Sequence, residues 1–238
     1  MAVYAAMIDR LDQNVGKLIS VLKKRGVFDN TLILFMSDNG GMSVMNGTPR
    51  REVPKEILDT RTSTSNLPLR GAKGWLYEGG IRVPMIVKWP QKGKKGTVCD
   101  EPLISVDFYP TILEMVSAEG QIKDIDGKSF TRLVRGKKME RGPIYWHFPQ
   151  YSNHGMQSPG GAIRDGDYKL LEYFENGTVQ LFNLKDDIGE QNDLSKIQVH
   201  KAEELTAKLH QWRKDVDAQM MTPNPEYNPA LDPWSGKK

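Results

Sequence analysis

The stretch TLILFMSDNGG, residues 31–41, joins a short apolar run to a polar, glycine-rich loop. An apolar run of this length without alternation predicts a strand buried on both faces of a parallel sheet. In a doubly wound α/β sheet, ligands bind beyond the carboxyl ends of the strands. The sequence therefore places Asp38 and Asn39 at a candidate binding edge.

The residues on either side of this stretch support an α/β arrangement. Residues 3–25 have apolar side chains at helical spacing, followed by Gly26, which favours a helix end. Residues 85–89 predict a second buried strand. Asp107 is the predicted cap of a short helix over residues 108–117.

The pattern changes in the second half of the chain. Short strand-like runs alternate with the turn signals RDGD and ENG, which predicts an antiparallel sheet. The runs cover residues 143–148, 162–164, 168–174 and 178–184, and residues 199–217 predict a final amphipathic helix. We therefore divide the chain into an α/β region, residues 1–120, and a smaller region, residues 121–238, with an antiparallel sheet and a terminal helix.

Composition excludes several classes of protein. A net charge of +3 over 238 residues argues against a nucleic-acid-binding protein, which would carry a basic cluster. No run approaches the roughly 18 apolar residues that a membrane span needs. Cys99 is the only cysteine, which excludes an internal disulfide and a thiolate metal cluster.

Two loops carry candidate chemistry. Asp38 and Asn39 offer hard oxygen ligands that suit Ca²⁺ or Mg²⁺, although Asp-Asn-Gly is also a common turn. Lys73 lies in a glycine-rich stretch, where backbone can approach a ligand closely and an ammonium group can reach an oxyanion. The alternative for Lys73 is an ordinary loop charge, and a tight turn is sufficient to explain Gly79 and Gly80.

Taken together and in order, these segments resemble the type I sulfatases of the alkaline-phosphatase-like superfamily. The first match is the helix over residues 4–26, with IDRLD at 8–12. It is followed by SDNG at 37–40, KGWLYEGGIRVP at 73–84, SVDFYPTIL at 105–113, and the C-terminal pair AIRDGDYKLL at 162–171 with LFNLKDD at 181–187. These five matches span nearly the whole chain. They correspond to the C-terminal part of the family pattern.

The resemblance implies a role for each candidate residue. Asp38 and Asn39 would be metal ligands, with Ca²⁺ favoured over Mg²⁺. Lys73 would be catalytic and substrate-binding, because its charge offsets charge developing on the sulfuryl oxygens. His154 lies in a polar loop of the C-terminal region and would contact substrate, whereas Arg82 would brace the loop.

The resemblance also implies parts that this sequence lacks. The family's formylglycine nucleophile arises in a "C/S-x-P-x-R" motif, which does not occur here. We therefore expect the chain to need a missing N-terminal half, to be inactive alone and to self-associate or pair with that half. Export to the periplasm, the cell exterior or a lysosome is expected of the full-length protein.

Three functions stay open. The first is hydrolysis of sulfate esters, with a sulfated carbohydrate or an aryl sulfate as substrate. The second is a phosphatase, phosphodiesterase or phosphonate hydrolase of the same superfamily. The third is a non-catalytic binding module that retains the fold.

Overall fold

Two antiparallel sheets and five α-helices organise the described part of the chain. The computed structural model describes residues 2–42, 64–118, 120, 125–151 and 157–228. In chain order, the elements are α1 (Ala2–Lys24), β1 (Ile33–Met36), α2 (Glu78–Ile81), β2 (Met85–Lys88), α3 (Phe108–Met115), α4 (Thr131–Val134), β3 (Ile144–Phe148), β4 (Gly160–Asp165), β5 (Tyr168–Tyr173), β6 (Val179–Asn183) and α5 (Val199–Asp215). None of the helices described is both long and apolar enough to cross a bilayer.

Helix α1 ends where the sequence predicts. Gly26 adopts a φ of 69° and its N–H donates to the carbonyl of Lys23, while the Val27 N–H reaches back to Leu22. This left-handed residue satisfies carbonyl groups that the last turn would otherwise leave open. None of the residues of α1 is buried, so the helix makes little contact with the rest of the described chain.

Strand β1 lies beside β2 in a two-stranded sheet, and the two run antiparallel. Ile33 and Leu34 are half-buried, whereas Phe35 and Met36 are 44% and 40% exposed. The prediction of a parallel strand buried on both faces is therefore wrong within the described residues. A short apolar run does not encode the direction of its neighbour, and mixed sheets commonly carry antiparallel strands.

The four-stranded sheet has the order β3-β4-β5-β6, with antiparallel neighbours throughout. The two predicted turns join β4 to β5 and β5 to β6, with Gly166 at a φ of 60° and Gly177 at 66°. Because side chains alternate along each strand, this sheet has two distinct apolar faces. Both faces are covered.

One face of the four-stranded sheet packs against α5. Ile163, Leu170 and Leu181 of the sheet are fully buried against Leu205 and Leu209 of the helix. The helical stripe predicted from the sequence is therefore confirmed. The opposite face receives residues 75–77, which precede α2, and these pack on Ala162, Leu171 and Phe182.

Asp107 has a different role from the one predicted. Its carboxylate accepts hydrogen bonds from the backbone N–H of Ile104 at 3.1 Å and of Lys128 at 2.8 Å, and from Arg141 Nε at 2.8 Å. The side chain makes no capping bond to α3. The prediction of a side-chain cap is wrong, because this buried carboxylate instead joins the segments on either side of the helix.

Candidate active site

Asp38 and Asn39 form a bend directly after β1, as the sequence predicts. The Asn39 N–H donates to Asp38 Oδ1 at 3.0 Å, and Ser37 Oγ donates to the Asn39 carbonyl at 2.9 Å. Asn39 Nδ2 donates to the Gly40 carbonyl at 3.0 Å, which turns its amide oxygen away from that carbonyl. Asp38 is exposed, so its carboxylate is accessible to a ligand.

Close backbone packing holds this bend against α2. The Gly40 N–H donates to the Gly80 carbonyl at 2.9 Å. A Cβ atom on Gly40 would lie 1.8 Å from the Gly79 carbonyl oxygen, and one on Gly80 would lie 2.2 Å from that of Trp75. Gly79 and Gly80 therefore permit contact between backbone segments, and a tight turn does not account for them.

Lys73 lies on the segment that faces the bend. Its N–H donates to the Gly41 carbonyl at 3.2 Å, which joins the loop of Lys73 to the loop of Asp38 and Asn39. The Lys73 side chain is exposed. The structure thus brings together the loops that carry three of the four predicted site residues.

Strands β5 and β6 of the four-stranded sheet contact the segment that carries Lys73. Tyr77 donates to Gln180 Oε1 at 2.6 Å and lies 3.0 Å from the hydroxyl of Tyr173. The Arg70 guanidinium stacks over the Tyr77 ring at 4.0 Å and donates to the Glu190 carbonyl at 2.7 Å. Burial raises the pKa of Tyr173, as does its hydrogen bond with Tyr77, so Tyr173 enters this contact as a neutral hydroxyl group.

A buried charge cluster fixes α2 to the same sheet. Lys169, fully buried, lies 2.9 Å from Glu78 Oε1 and 2.9 Å from Glu190 Oε1. Arg164 and Arg82 approach the second oxygen of Glu78 at 3.5 Å and 3.6 Å. Burial raises the pKa of Glu190, and the Lys169 ammonium opposes that rise. Arg82 therefore contacts Glu78 at the start of α2, in line with the bracing role expected for it.

Sequence reasoning did not find this cluster. Lys169 and Glu78 each stand only within a segment that resembles the family, residues 162–171 and 73–84. In β5, Lys169 is followed by the core residues Leu170 and Leu171. A lysine at such a position is seldom fully buried unless it is paired. That mismatch was the signal available in the sequence.

The donor chemistry of the bend suits a hard divalent cation. A carboxylate and an amide oxygen are ligands that Ca²⁺ and Mg²⁺ prefer, but Ca²⁺ takes six to eight oxygens. Among the described residues, no group of three or more His, Cys, Asp and Glu side chains could hold a metal ion. The two residues would therefore supply part of the ligand set of such a cation, and a complete set would need further oxygen ligands.

The histidines have separate outcomes. His154 lies outside the described residues, so its predicted substrate contact is untested. His147 Nε2 lies 2.8 Å from the Gln219 carbonyl, and its ring packs against Phe174. That arrangement gives His147 a structural role.

Comparison with known proteins identifies the family. Residues 72–219, well over half of the chain, match the family described as N-sulphoglucosamine sulphohydrolase, C-terminal, and residues 1–118 match the family described as sulfatase. The chain belongs to the sulfatase family. The resemblance drawn from the five sequence segments is thereby confirmed.

Individual members of the sulfatase family show how much of the pattern the chain covers. A sulfatase of Formosa agariphila is 32% identical over 233 residues, which are 88% of this chain and 39% of that protein. The crystal structure of Ps i-CgsB in complex with k-i-k-neocarrahexaose is 30% identical with a TM-score of 0.71, over 89% of this chain and 43% of that one. The structure of BT4656 in complex with its substrate D-glucosamine-2-N,6-O-disulfate is 25% identical with a TM-score of 0.68, over 88% and 39%. The chain thus spans about two fifths of the length of these relatives, and its predicted fold class is confirmed.

Proposed function

We propose that the chain forms one side of the active site of a sulfuric ester hydrolase. The observation that carries the proposal is the hydrogen bond from the Lys73 N–H to the Gly41 carbonyl, which places an exposed lysine beside the Asp38–Asn39 bend. Family membership supports the choice of sulfate over other oxyanions. Sulfated carbohydrates are the favoured substrate class, because relatives such as BT4656 act on a sulfated sugar.

Each residue has a defined task in this proposal. Lys73 binds the sulfate group and offsets negative charge that develops on its oxygens in the transition state. Asp38 and Asn39 supply oxygen ligands to a divalent cation, Ca²⁺ by preference, which would polarise the sulfate group when bound. The close glycine contacts keep the two loops at a fixed separation, so that both charges act on one ligand.

The proposal also needs a nucleophile for the sulfate ester. A formylglycine nucleophile needs the "C/S-x-P-x-R" motif, which is absent here. We propose that an N-terminal sulfatase segment supplies it and packs on α1 and the two-stranded sheet. Export of the assembled enzyme remains part of the same proposal.

The test is a titration of the ¹⁵N-labelled chain with CaCl₂ and inorganic sulfate, followed by NMR. Sulfate should shift the amide signals of residues 73–75, and Ca²⁺ those of residues 38–40. Lys73→Ala should weaken sulfate binding about tenfold or more, because a charge-assisted contact is lost. Asp38→Ala should weaken Ca²⁺ binding.

Matched controls and a competing anion make the result decisive. Lys95→Ala and Asp126→Ala remove exposed charges outside the two loops and should change neither titration. Tighter binding of inorganic phosphate than of sulfate would favour the phosphatase alternative. Sulfate binding that Lys73→Ala leaves unchanged would contradict the proposal.

A further inference from the structure

Asn66 joins the two loops of the candidate site through one side chain. Its Nδ2 group donates to the Gly41 carbonyl at 2.8 Å and to the Gly71 carbonyl at 3.2 Å. Its Oδ1 atom accepts from the Gly41 N–H at 3.2 Å. Gly41 follows the Asp38–Asn39 bend, and Gly71 precedes Lys73 by two residues.

These bonds use the hydrogen-bonding capacity of the amide in a particular way. A carboxamide has two donor hydrogens, and here each is directed to a different loop. The Gly41 carbonyl also accepts the Lys73 N–H, so Asn66 and Lys73 converge on the same oxygen. Asn66 is half-buried, and a turn in which Leu69 N–H donates to the Asn66 carbonyl at 2.8 Å fixes its own backbone.

We infer that Asn66 is a positioning residue that sets the separation between the Asp38–Asn39 bend and Lys73. This inference rests on the proposed function, because the separation matters only if both loops bind one ligand. Asn66 acts through the backbone of both loops and does not itself need to touch substrate. The amide donor is what distinguishes this role from packing: a carboxylate of the same shape would place negative charge against two carbonyl oxygens.

The first experiment measures amide hydrogen exchange in the purified chain and in two variants. Asn66→Ala should speed exchange of the Gly41 and Lys73 amides by about tenfold, since the bonds that hold the loops together are lost. Asn66→Asp keeps the acceptor for the Gly41 N–H but loses the donors. It should therefore speed exchange at Lys73 and leave Gly41 comparatively protected. Exchange in α5 and in strands β4 and β5 should stay unchanged in both variants.

The second experiment uses a spectroscopic reporter close to Asn66. The Trp75 side chain packs over Gly71, since a Cβ atom there would lie 3.1 Å from Trp75 Cβ. In protein labelled with 5-fluorotryptophan, the Trp75 signal, assigned with Trp75→Phe, should shift in Asn66→Asp at pH 7. It should return toward the wild-type position at low pH, where the introduced carboxyl group gains a proton to donate. Asn176→Asp makes the same chemical change in the β5–β6 turn and should leave Trp75 unaffected.

The outcomes separate this inference from the proposed function. Unchanged exchange at Lys73 in both variants, or a Trp75 signal of Asn66→Asp that does not respond to pH, overturns the positioning role. Loosened loops combined with unaltered sulfate and Ca²⁺ binding by Asn66→Asp also overturn it. If the Asn66 variants loosen the loops but the wild-type chain binds neither sulfate nor Ca²⁺, the role of Asn66 in holding the two loops together stands. The proposed function is then refuted.

Discussion

At the scale of single residues, the glycines between the two loops set the tightest constraint. Cβ atoms on Gly40 and Gly80 would lie 1.8 Å and 2.2 Å from backbone carbonyl oxygens, so the backbone would have to move. We expect Gly80→Ala to lower the free energy of unfolding by about 1–3 kcal/mol or more. Urea denaturation measures this change.

Gly16 provides the matched control for that substitution. A Cβ atom there meets no neighbouring atom within 4 Å, and the residue lies inside α1. Gly16→Ala should therefore leave stability unchanged or raise it by up to about 1 kcal/mol, since alanine favours a helix over glycine. Equal losses for Gly16→Ala and Gly80→Ala would show that the carbonyl contacts are not the cause.

The sequence identified individual residues only where the residue type and its position pointed to the same chemistry. Asp38 and Asn39 are candidates because their oxygen donors follow a predicted strand end. Lys73 is a candidate because its ammonium group lies between glycines. Asn66 is not a candidate, since a single amide in a polar, proline-containing stretch has many possible roles. Its partners are backbone atoms 5 and 25 residues away, and no local pattern encodes those contacts.

At the scale of elements, one buried lysine couples α2 to β5. Lys169 is 0% exposed and sits between Glu78 and Glu190, both within 2.9 Å. Lys169→Met would leave the buried Glu190 without its cation and Glu78 with only the more distant arginines, 3.5 Å and 3.6 Å away, which should cost about 3–5 kcal/mol at pH 8. Lys201→Met removes a lysine from an exposed pair with Glu204 and should cost no more than about 1 kcal/mol.

The loss in Lys169→Met should depend on pH. Burial raises the pKa of Glu190, so the Glu190 carboxyl group holds its proton more tightly in the folded chain than in the unfolded chain. Its contribution to stability is therefore present at low pH and is lost as the pH rises through the raised value. Removing Lys169 takes away the group that opposes this rise, so the destabilisation should grow between pH 5 and pH 8 in urea titrations. Adding Glu190→Gln should recover part of the loss at pH 8, and a loss independent of pH would contradict this account.

Elements were more predictable from the sequence than their pairing. Turn glycines and alternating side chains located β4, β5 and β6 to within about two residues, and periodicity located α1 and α5. These signals are local. The antiparallel partner of β1, and the packing of residues 75–77 on the four-stranded sheet, depend on contacts distant in sequence. No periodicity in either partner specifies them.

At the scale of the whole molecule, α1 carries an apolar stripe that the described residues cover only in part. Val15, Ile19 and Leu22 are half-buried, but Met7, Leu11 and Leu18 are 63%, 48% and 59% exposed. Positions 7, 11 and 18 fall on one side of a helix. Phe35 and Ile86 of the two-stranded sheet are also exposed, and exposed apolar area of this kind is typical of a protein interface.

We therefore expect the purified chain to self-associate when no other polypeptide covers α1. Sedimentation velocity should give a mass above 26.9 kDa that rises with concentration. Replacing Met7, Leu11 and Leu18 with Gln should shift the chain to a monomer, because the stripe would no longer gain from leaving water. The sheet packed on α5 should unfold at an unchanged temperature, since none of the residues of α1 is buried.

A matched control separates the stripe from exposed apolar residues in general. Val98 and Ile197 are 91% and 77% exposed and lie far from α1 in sequence, so changing both to Gln should not alter the mass distribution. A wild-type chain that stays monomeric up to high concentration would contradict self-association. The proposal that a sulfatase segment packs on this stripe makes the converse prediction: a chain held in such a complex should lose its tendency to self-associate, and the glutamine substitutions should then weaken the complex.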